Sequence, residues 1–419
     1  MWLLLLIILI MPFEMSPYLY ISPSFLGIIP DFTVIKLLGM LGFAWAVFKI
    51  VMLNRRGRGG ERVFDSLTAQ LFAALFAGVV VSAILNESPM FAITKYLVFV
   101  FFLPFVLVSV RNEDDLRRVF ATVVIAMTLV FPYAFRQMGR YDGRLGVGLY
   151  EPNYLAANLV LIIPLALAVA SYQPTGIRQL AWAGCGMVLV VALLLTSSRG
   201  GFIGLMVAGW IYAYRRLGLR GAILACVVLI IMVSPTDLGQ RALATVDPTA
   251  PKPPGVEEST LAHTALFWGG IRMMIDAPIF GVGPQRFKDY SQAYSGLDIP
   301  YIAHNTYLEL AAEAGLPVLG LFLLLLLTTI FKLGRIARLG REPGMQRLAA
   351  WADGLRTGLI GFAIAGGFIS GQYEKFFWLS VFLSIVVGRL VDRAAAHATA
   401  PAPVAAPEGV AAAPQLSAS

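Results

Sequence analysis

Apolar runs close to the ~20 residues that a helix needs to cross a bilayer recur along almost the whole chain, separated by short polar connections. This repetition restricts the fold more than any single motif. Within hydrocarbon every backbone N–H and C=O must find a partner inside the structure, so runs of this length are expected to be helices. Composition agrees: 58% of the 419 residues are hydrophobic and 13% are charged, and the mean hydropathy is +0.77. That balance excludes a soluble globular domain. The expectation is an all-α polytopic membrane protein with about 12 transmembrane helices. The runs fall at residues 2–20, 31–53, 64–85, 91–110, 117–135, 151–171, 178–197, 200–214, 219–234, 311–331, 351–370 and 374–391. The first run, from Trp2, has neither a basic leading region nor a small-residue cleavage site, and it is read as the start of a span rather than as a cleaved signal.

Basic residues set the orientation. Arg55, Arg56, Arg58 and Arg62, then Arg111, Arg117 and Arg118, Arg178, Arg215, Arg216 and Arg220, Lys332 to Arg347, and Arg389 with Arg393 fall in alternate connections. The positive-inside rule makes these the cytoplasmic side of the membrane, with both termini cytoplasmic. The net charge of +8 is thereby an orientation signal and an attraction to anionic membrane lipids. Nucleic-acid binding is not expected, because the cations are dispersed over separate loops rather than gathered on one face. Cys185 and Cys226 both lie in apolar runs, where a small hydrophobe packed between helices is the expected role.

Four regions follow: nine helices in residues 1–234, a loop at 235–303 facing away from the cytoplasm, three helices in 304–393, and an Ala- and Pro-rich cytoplasmic tail at 394–419 that is expected to be disordered. The loop, about 70 residues long, exceeds every other connection, and long loops tend to be functional or disordered. Its Pro-rich first part reads as an excursion. From Leu261 to Ile275, Leu266, Trp268, Ile271 and Met274 recur at helical spacing, as in an amphipathic helix at a membrane surface. Pro278 ends it, and Gly281-Val282-Gly283-Pro284 makes a turn.

The chemistry-bearing residues lie on the side away from the cytoplasm. Arg140 and Arg144 stand between the fifth and sixth runs, Arg199 in Ser197-Ser198-Arg199-Gly200-Gly201, and Arg272 and Arg286 in the long loop. Guanidinium groups on that face run against the charge trend. With their planar donors Arg140, Arg144, Arg199 and Arg286 can together hold a diphosphate; snorkelling to lipid phosphates is the alternative for each. The glycines after Arg199 are read as allowing close backbone approach to a ligand. At the end of the loop comes His304-Asn305-Thr306-Tyr307-Leu308-Glu309. A helix starting at His304 puts Asn305, Glu309 and Glu313 on one face, with His304 about 100° around from Asn305. The carboxylates can be functional, or can be paired with loop arginines at a favourable helix N-terminus. Of the three histidines, His397 is in the tail, and His263 heads the amphipathic segment without an assigned role.

The Ser198-Arg199-Gly200-Gly201 turn, the Trp268 segment leading through Pro278 to Gly281-Val282-Gly283, and the stretch from His304-Asn305 through Leu308 to Glu313-x-Gly315 resemble the O-antigen ligase and polymerase superfamily of bacterial envelope enzymes. The resemblance implies a GT-C-like helical fold and transfer of a glycan from an undecaprenyl-diphosphate-linked donor on the periplasmic side, without a nucleotide sugar. It also implies donor-diphosphate binding at Arg199 and a role at the reaction centre for His304. One departure is clear: where many members carry an arginine shortly before the loop tryptophan, this chain has His263-Thr264, so either another basic group such as Arg272 or Arg286 does that work or donor binding differs.

Such a transfer needs a base for the attacking hydroxyl and positive charge for the leaving diphosphate. His304 suits the first role and Arg199 with Arg286 the second; a glutamate, Glu309 in particular, can take the base role with His304 on phosphate. Asn305, Glu313 and Arg272 are supporting. No metal set stands out and no cofactor is expected. Ligation of O-antigen to lipid A-core is the leading reading, followed by glycan polymerisation or transfer to protein, and then by a lipid-linked glycan transporter. A transporter should carry its charges deep along a path between paired broken helices, and no such pairing is seen.

Overall fold

The apolar runs do form helices. The structure, a computed structural model, describes residues 1–14, 16–25, 29–55, 63–147, 151–173, 176–234, 236, 238–240 and 256–399. In chain order the helices are α1 (Trp2–Ile10), α2 (Val34–Arg55), α3 (Leu67–Leu85), α4 (Met90–Ser109), α5 (Glu113–Phe135), α6 (Pro152–Ser171), α7 (Ile177–Leu195), α8 (Arg199–Val233), α9 (Val256–Asp276), α10 (Phe287–Ser295), α11 (Thr306–Ala314), α12 (Leu316–Arg338), α13 (Gln346–Ala365) and α14 (Lys375–Thr399). A small antiparallel hairpin, β1 (Tyr20–Phe25) with β2 (Ile29–Thr33), joins α1 to α2. The protein is all-α in character. Among the described residues eight helices are long and apolar enough to cross a membrane.

Three departures from the expected spans have local causes. The first run does not continue to residue 20: α1 ends at Ile10, a short 3-10 turn follows, and the buried Glu14 meets Lys375 and accepts from Thr33 Oγ1 at 3.1 Å. The eighth and ninth runs are, as expected, two helical segments within α8: Gly218 parts them with a non-helical φ 72° and ψ −171°, and the second folds back so that Leu229 reaches Gly209. The tenth run is divided at Gly315, φ 87°, so the acidic α11 and the apolar α12 are separate helices. The last two runs form α13 and α14, which carry Asp353 and Arg356 in one and Lys375, Arg389 and Asp392 in the other; neither counts among the eight. α14 continues to Thr399, past the expected start of the tail; residues 400–419 lie outside the described residues, as do Arg56, Arg58, Arg62 and 241–255 of the Pro-rich excursion.

The core is organised around α6, buried along most of its length. α13 crosses it closely because Gly354, Gly358 and Gly361 face it: a Cβ at Gly354 would lie 2.9 Å from Ala168 Cβ, and one at Gly358 would collide with the Leu161 carbonyl. Small residues at helix crossings are how backbones approach when lipid gives no hydrophobic drive. α8 joins the same crossing through Gly204, whose added Cβ would sit 2.7 Å from the Gly361 oxygen. An ion pair from Arg215 to Asp353, 2.7 Å, fixes the other end of that contact.

Candidate active site

The site is built on α11. Asn305 lies outside the helix in extended backbone and caps it, its Oδ1 accepting from Tyr307 N at 3.1 Å and Leu308 N at 3.0 Å. The expected common face of Asn305, Glu309 and Glu313 is corrected accordingly: capping removes Asn305 from the helical face and uses its side-chain oxygen on orphan N–H groups. His304, just before the cap, takes φ 49°, a left-handed conformation uncommon outside glycine.

Glu309 and Glu313 remain a turn apart and both are buried, at 3% exposure each. Glu309 Oε2 accepts from Ala303 N at 3.1 Å and from Ser370 Oγ, and its Oε1 accepts from Gln372 Nε2 at 2.7 Å. Thr306 works in parallel, donating to Ile369 O and accepting from Gly371 N, both at 2.8 Å. These bonds rivet α11 to the 369–372 turn between α13 and α14. Glu313 Oε1 accepts from Phe287 N at 3.0 Å. Burial raises the pKa of both carboxyls, and for Glu313 the nearby Glu309 raises it further. Among the described residues no arginine supplies the expected pairing in the bonds that hold them; the cation that acts on both is Lys95, which donates to Gln285.

The Gly281-Val282-Gly283 turn serves the other end of α11. Val282 N donates to Ala312 O at 2.8 Å and Gly283 N to Glu313 O at 2.9 Å, satisfying carbonyls that a helix C-terminus leaves open. Gly281, φ 66°, lies so close that a Cβ would collide with the Glu313 carbonyl. Ser82 Oγ on α3 completes the junction, donating to Phe280 O at 2.5 Å.

At the start of α11 the site opens onto two other elements. α9 packs on α11 through Gly270, where a Cβ would sit 2.7 Å from Leu308. The buried Leu266 lies on the same face, and so does half-buried His263, one turn and two turns before these contacts. The rings of His263 and His304 meet edge to face with centroids 5.3 Å apart and an interplanar angle of 66°. Arg199, the first residue of α8, is close enough to depress the basicity of His263. His263 has its pKa lowered to about 4 by burial, by His304 and by Arg199, with Glu151 acting in the opposite sense. Burial lowers the pKa of His304 too, and its Nδ1 is buried without a hydrogen-bond partner among the described residues.

The turn before α8 explains Arg199's place. Ser197 takes φ 50°, and Ser198 caps α8 by accepting from Gly201 N at 3.2 Å. Gly200 and Gly201 have a packing role, which corrects the ligand-approach reading: added Cβ atoms would lie 2.6 Å from Phe368 and 2.5 Å from Ala156. Arg144 reaches this turn from the α5–α6 connection, donating to Thr196 O and to Asn153 Oδ1, both at 2.9 Å. Arg140 is exposed in the short 3-10 turn Met138–Tyr141. Arg286 Nη1 donates to Asn86 O at 2.7 Å, at the end of α3, and its guanidinium lies over Tyr290. Arg272 Nη1 donates to Tyr294 O at 3.0 Å, nine residues along α9 from His263, which is about 13 Å of helix. The structure thus gathers His304, His263, Arg199 and Arg144 around one corner, while Arg272 and Arg286 are engaged elsewhere.

Residues 184–323 match the family described as O-antigen ligase. The match supports the O-antigen ligase and polymerase superfamily. No curated protein matches the chain. The matched O-antigen ligase stretch contains the Ser197–Gly201 turn, both helices of the long loop and the whole of α11, so the imidazole pair and Arg199 fall inside it. Arg144 and the 369–372 turn that grips Glu309 fall outside it.

His263 is the residue at this corner that has no role assigned from sequence. Its signal was spacing: with Leu266 and Gly270 it forms the i, i+3, i+7 stripe that α9 turns toward its neighbour. Trp268 and Ile275, 56% and 65% exposed, lie on the other side of α9.

Proposed function

We propose that this membrane protein is an O-antigen ligase that transfers a glycan from undecaprenyl diphosphate to a hydroxyl of lipid A-core at the periplasmic face of the inner membrane. The observation that carries the reading is the meeting of His304 with Arg199 and His263 at the corner of α11, α8 and α9, within residues that match the O-antigen ligase family. The exposed Leu261, Phe267, Trp268 and Ile275 suit α9 to an interface, where a lipid-borne donor and acceptor arrive.

His304 is the base. Burial keeps its imidazole neutral near pH 7, ready to accept the proton of the attacking hydroxyl. As the hydroxyl oxygen bonds to the anomeric carbon, the bond from that carbon to the phosphate oxygen breaks and its electron pair leaves with the lipid diphosphate. Arg199 receives the developing charge. Arg144 holds the turn that starts α8, and through it positions Arg199. Glu309 is a positioning residue: its oxygens are used by Ala303, Ser370 and Gln372, which leaves His304 the better placed acceptor.

The test is transfer by the reconstituted protein, supplied with an undecaprenyl-diphosphate-linked glycan and lipid A-core. Core-linked product from the parent and none from an equally folded His304→Ala variant supports the ligase reading. Lengthening of the donor glycan instead identifies a polymerase, and an untouched donor with every acceptor overturns the transferase reading.

A further inference from the structure

The corner described above holds few fixed charges for the ligand it is assigned. With both imidazoles neutral, the charged groups among the described residues that act on His263 are Arg199 from α8 and Glu151 from the N-terminus of α6, which are opposite in sign. A sugar-linked prenyl diphosphate is a diester. It carries two negative charges throughout the neutral range and has no proton of its own to gain or lose there. Arg272 and Arg286 are bound to Tyr294 O and Asn86 O at other points of the loop, and Arg144 spans Thr196 O and Asn153. Among the described residues gathered at the corner, the imidazoles can add positive charge without rebuilding those contacts.

We propose that His263 is a proton-gated diphosphate ligand: it takes up one proton from solvent as the lipid diphosphate binds beside Arg199 and His304, and so becomes the second cation of the site. The inference rests on the transferase reading given above and deepens it. In this step one N–H bond forms, as the imidazole takes a proton from hydronium or a buffer acid and leaves its conjugate base in solution, and the site gains one unit of charge.

The geometry assigns the role to His263 rather than to its neighbour. His304 must stay neutral to accept the hydroxyl proton, and two imidazolium rings 5.3 Å apart would repel one another. A single proton shared out between them belongs on the ring that does not serve as base. Without a ligand, burial and the neighbouring Arg199 keep His263 neutral, to a pKa of about 4. A diphosphate opposes both influences, because an opposite charge at contact favours the cation. Binding is then linked to protonation: affinity rises as pH falls toward that ligand-free value, by up to about tenfold per pH unit, which is the limit for one proton.

The experiment is equilibrium binding of a sugar-linked prenyl diphosphate to the full chain in zwitterionic nanodiscs from pH 5 to 8.5, with added phosphatidylglycerol as a competitor that separates the specific ligand from bulk anionic lipid. The parent should bind more tightly at lower pH, and phosphatidylglycerol should compete weakly. His263→Gln should bind weakly with a flat profile, His263→Arg should bind tightly with a flat profile, and His304→Gln should keep the slope. Equal unfolding temperatures for the variants establish that they are folded. An unchanged slope in His263→Gln, or a slope abolished by His304→Gln alone, overturns this inference while leaving donor binding intact. Full competition by phosphatidylglycerol overturns it by making the ligand a bulk lipid phosphate. No binding by the parent at any pH overturns the transferase reading together with it.

Discussion

Gln372 donates to Glu309 across 2.7 Å, although 63 residues separate them in sequence. The bond ties the helix that begins beside His304 to the turn between the last two helices, and it is one of three donors that converge on the same carboxyl group. A carboxylate held this way fixes geometry. Glu309→Ala should leave the Ala303 N–H, Ser370 Oγ and Gln372 amide buried and unmatched, at about 1–3 kcal/mol for each group that finds no water. A fall of many degrees in unfolding temperature in detergent is expected. The milder Ser370→Ala should lower kcat and leave KM for the donor nearly unchanged, with the pH profile of kcat retained. Loss of that profile would mean that Glu309 titrates in the reaction.

Glu313 should make the protein less stable as pH rises. Its pKa is raised in the folded state to about 8, chiefly by burial and then by Glu309, whereas an unfolded glutamate titrates near about 4.3. The folded state therefore holds the proton more tightly. Its contribution is complete below the unfolded value, declines as pH climbs from there, and is lost once pH passes the folded value. Glu313→Gln keeps an oxygen for the Phe287 N–H and should flatten this decline between pH 5 and 8. Thermal unfolding scans across that window read the result; a parent that grows more stable over it would contradict the assignment.

The Gly281 junction offers a stability comparison within one chain. Gly281→Ala must place a Cβ against the Glu313 carbonyl and force alanine into φ 66°, so a loss of at least about 1–3 kcal/mol is expected. Gly39 lies in α2 with nothing within 4 Å of an added Cβ, and Gly39→Ala should gain about 0.5–1 kcal/mol from helix propensity. Paired unfolding curves decide both. Equal effects would show that the loop strap is not seated on α11.

The sequence disclosed the helices well and their junctions poorly. Hydrophobic run length is a local property, and runs such as 67–85, 90–109 and 152–171 needed no tertiary information. The division at Gly315 was hidden because Leu-rich sequence continues immediately after it, and the break is imposed by backbone arriving from Pro278 and Ile279. His304 and Arg199 were legible because a titratable or cationic group at the end of an apolar run has few structural uses. His263 was not, since its partner comes from 41 positions away and only the packing of α9 on α11 brings the rings together. Gly200 and Gly201 misled in the opposite direction: their residue type fits ligand approach and helix crossing equally, and the neighbours Phe368 and Ala156 decide between them.

Sidedness can be tested without any substrate. The charge pattern puts the α5–α6 connection and the α9–α10 loop on the side away from the cytoplasm, and the connection between α12 and α13 on the cytoplasmic side. Cys185 and Cys226 are free and partly buried, and serine at both positions gives a background with little reactive thiol. Single cysteines are then introduced at Arg140, at Ser295 and at Gly344, which lies between the Arg341 turn and α13. In intact cells with a permeabilised outer membrane, a charged maleimide that does not cross the inner membrane should label Arg140→Cys and Ser295→Cys, and should reach Gly344→Cys only after lysis. The first two positions flank the imidazole corner through the Arg144 connection and α10. Their labelling from outside would put that corner where a lipid-linked glycan and a lipid A-core hydroxyl can meet. The reverse pattern would move the corner to the cytoplasmic face, where His304 could not serve a periplasmic transfer, and would refute the proposed ligase.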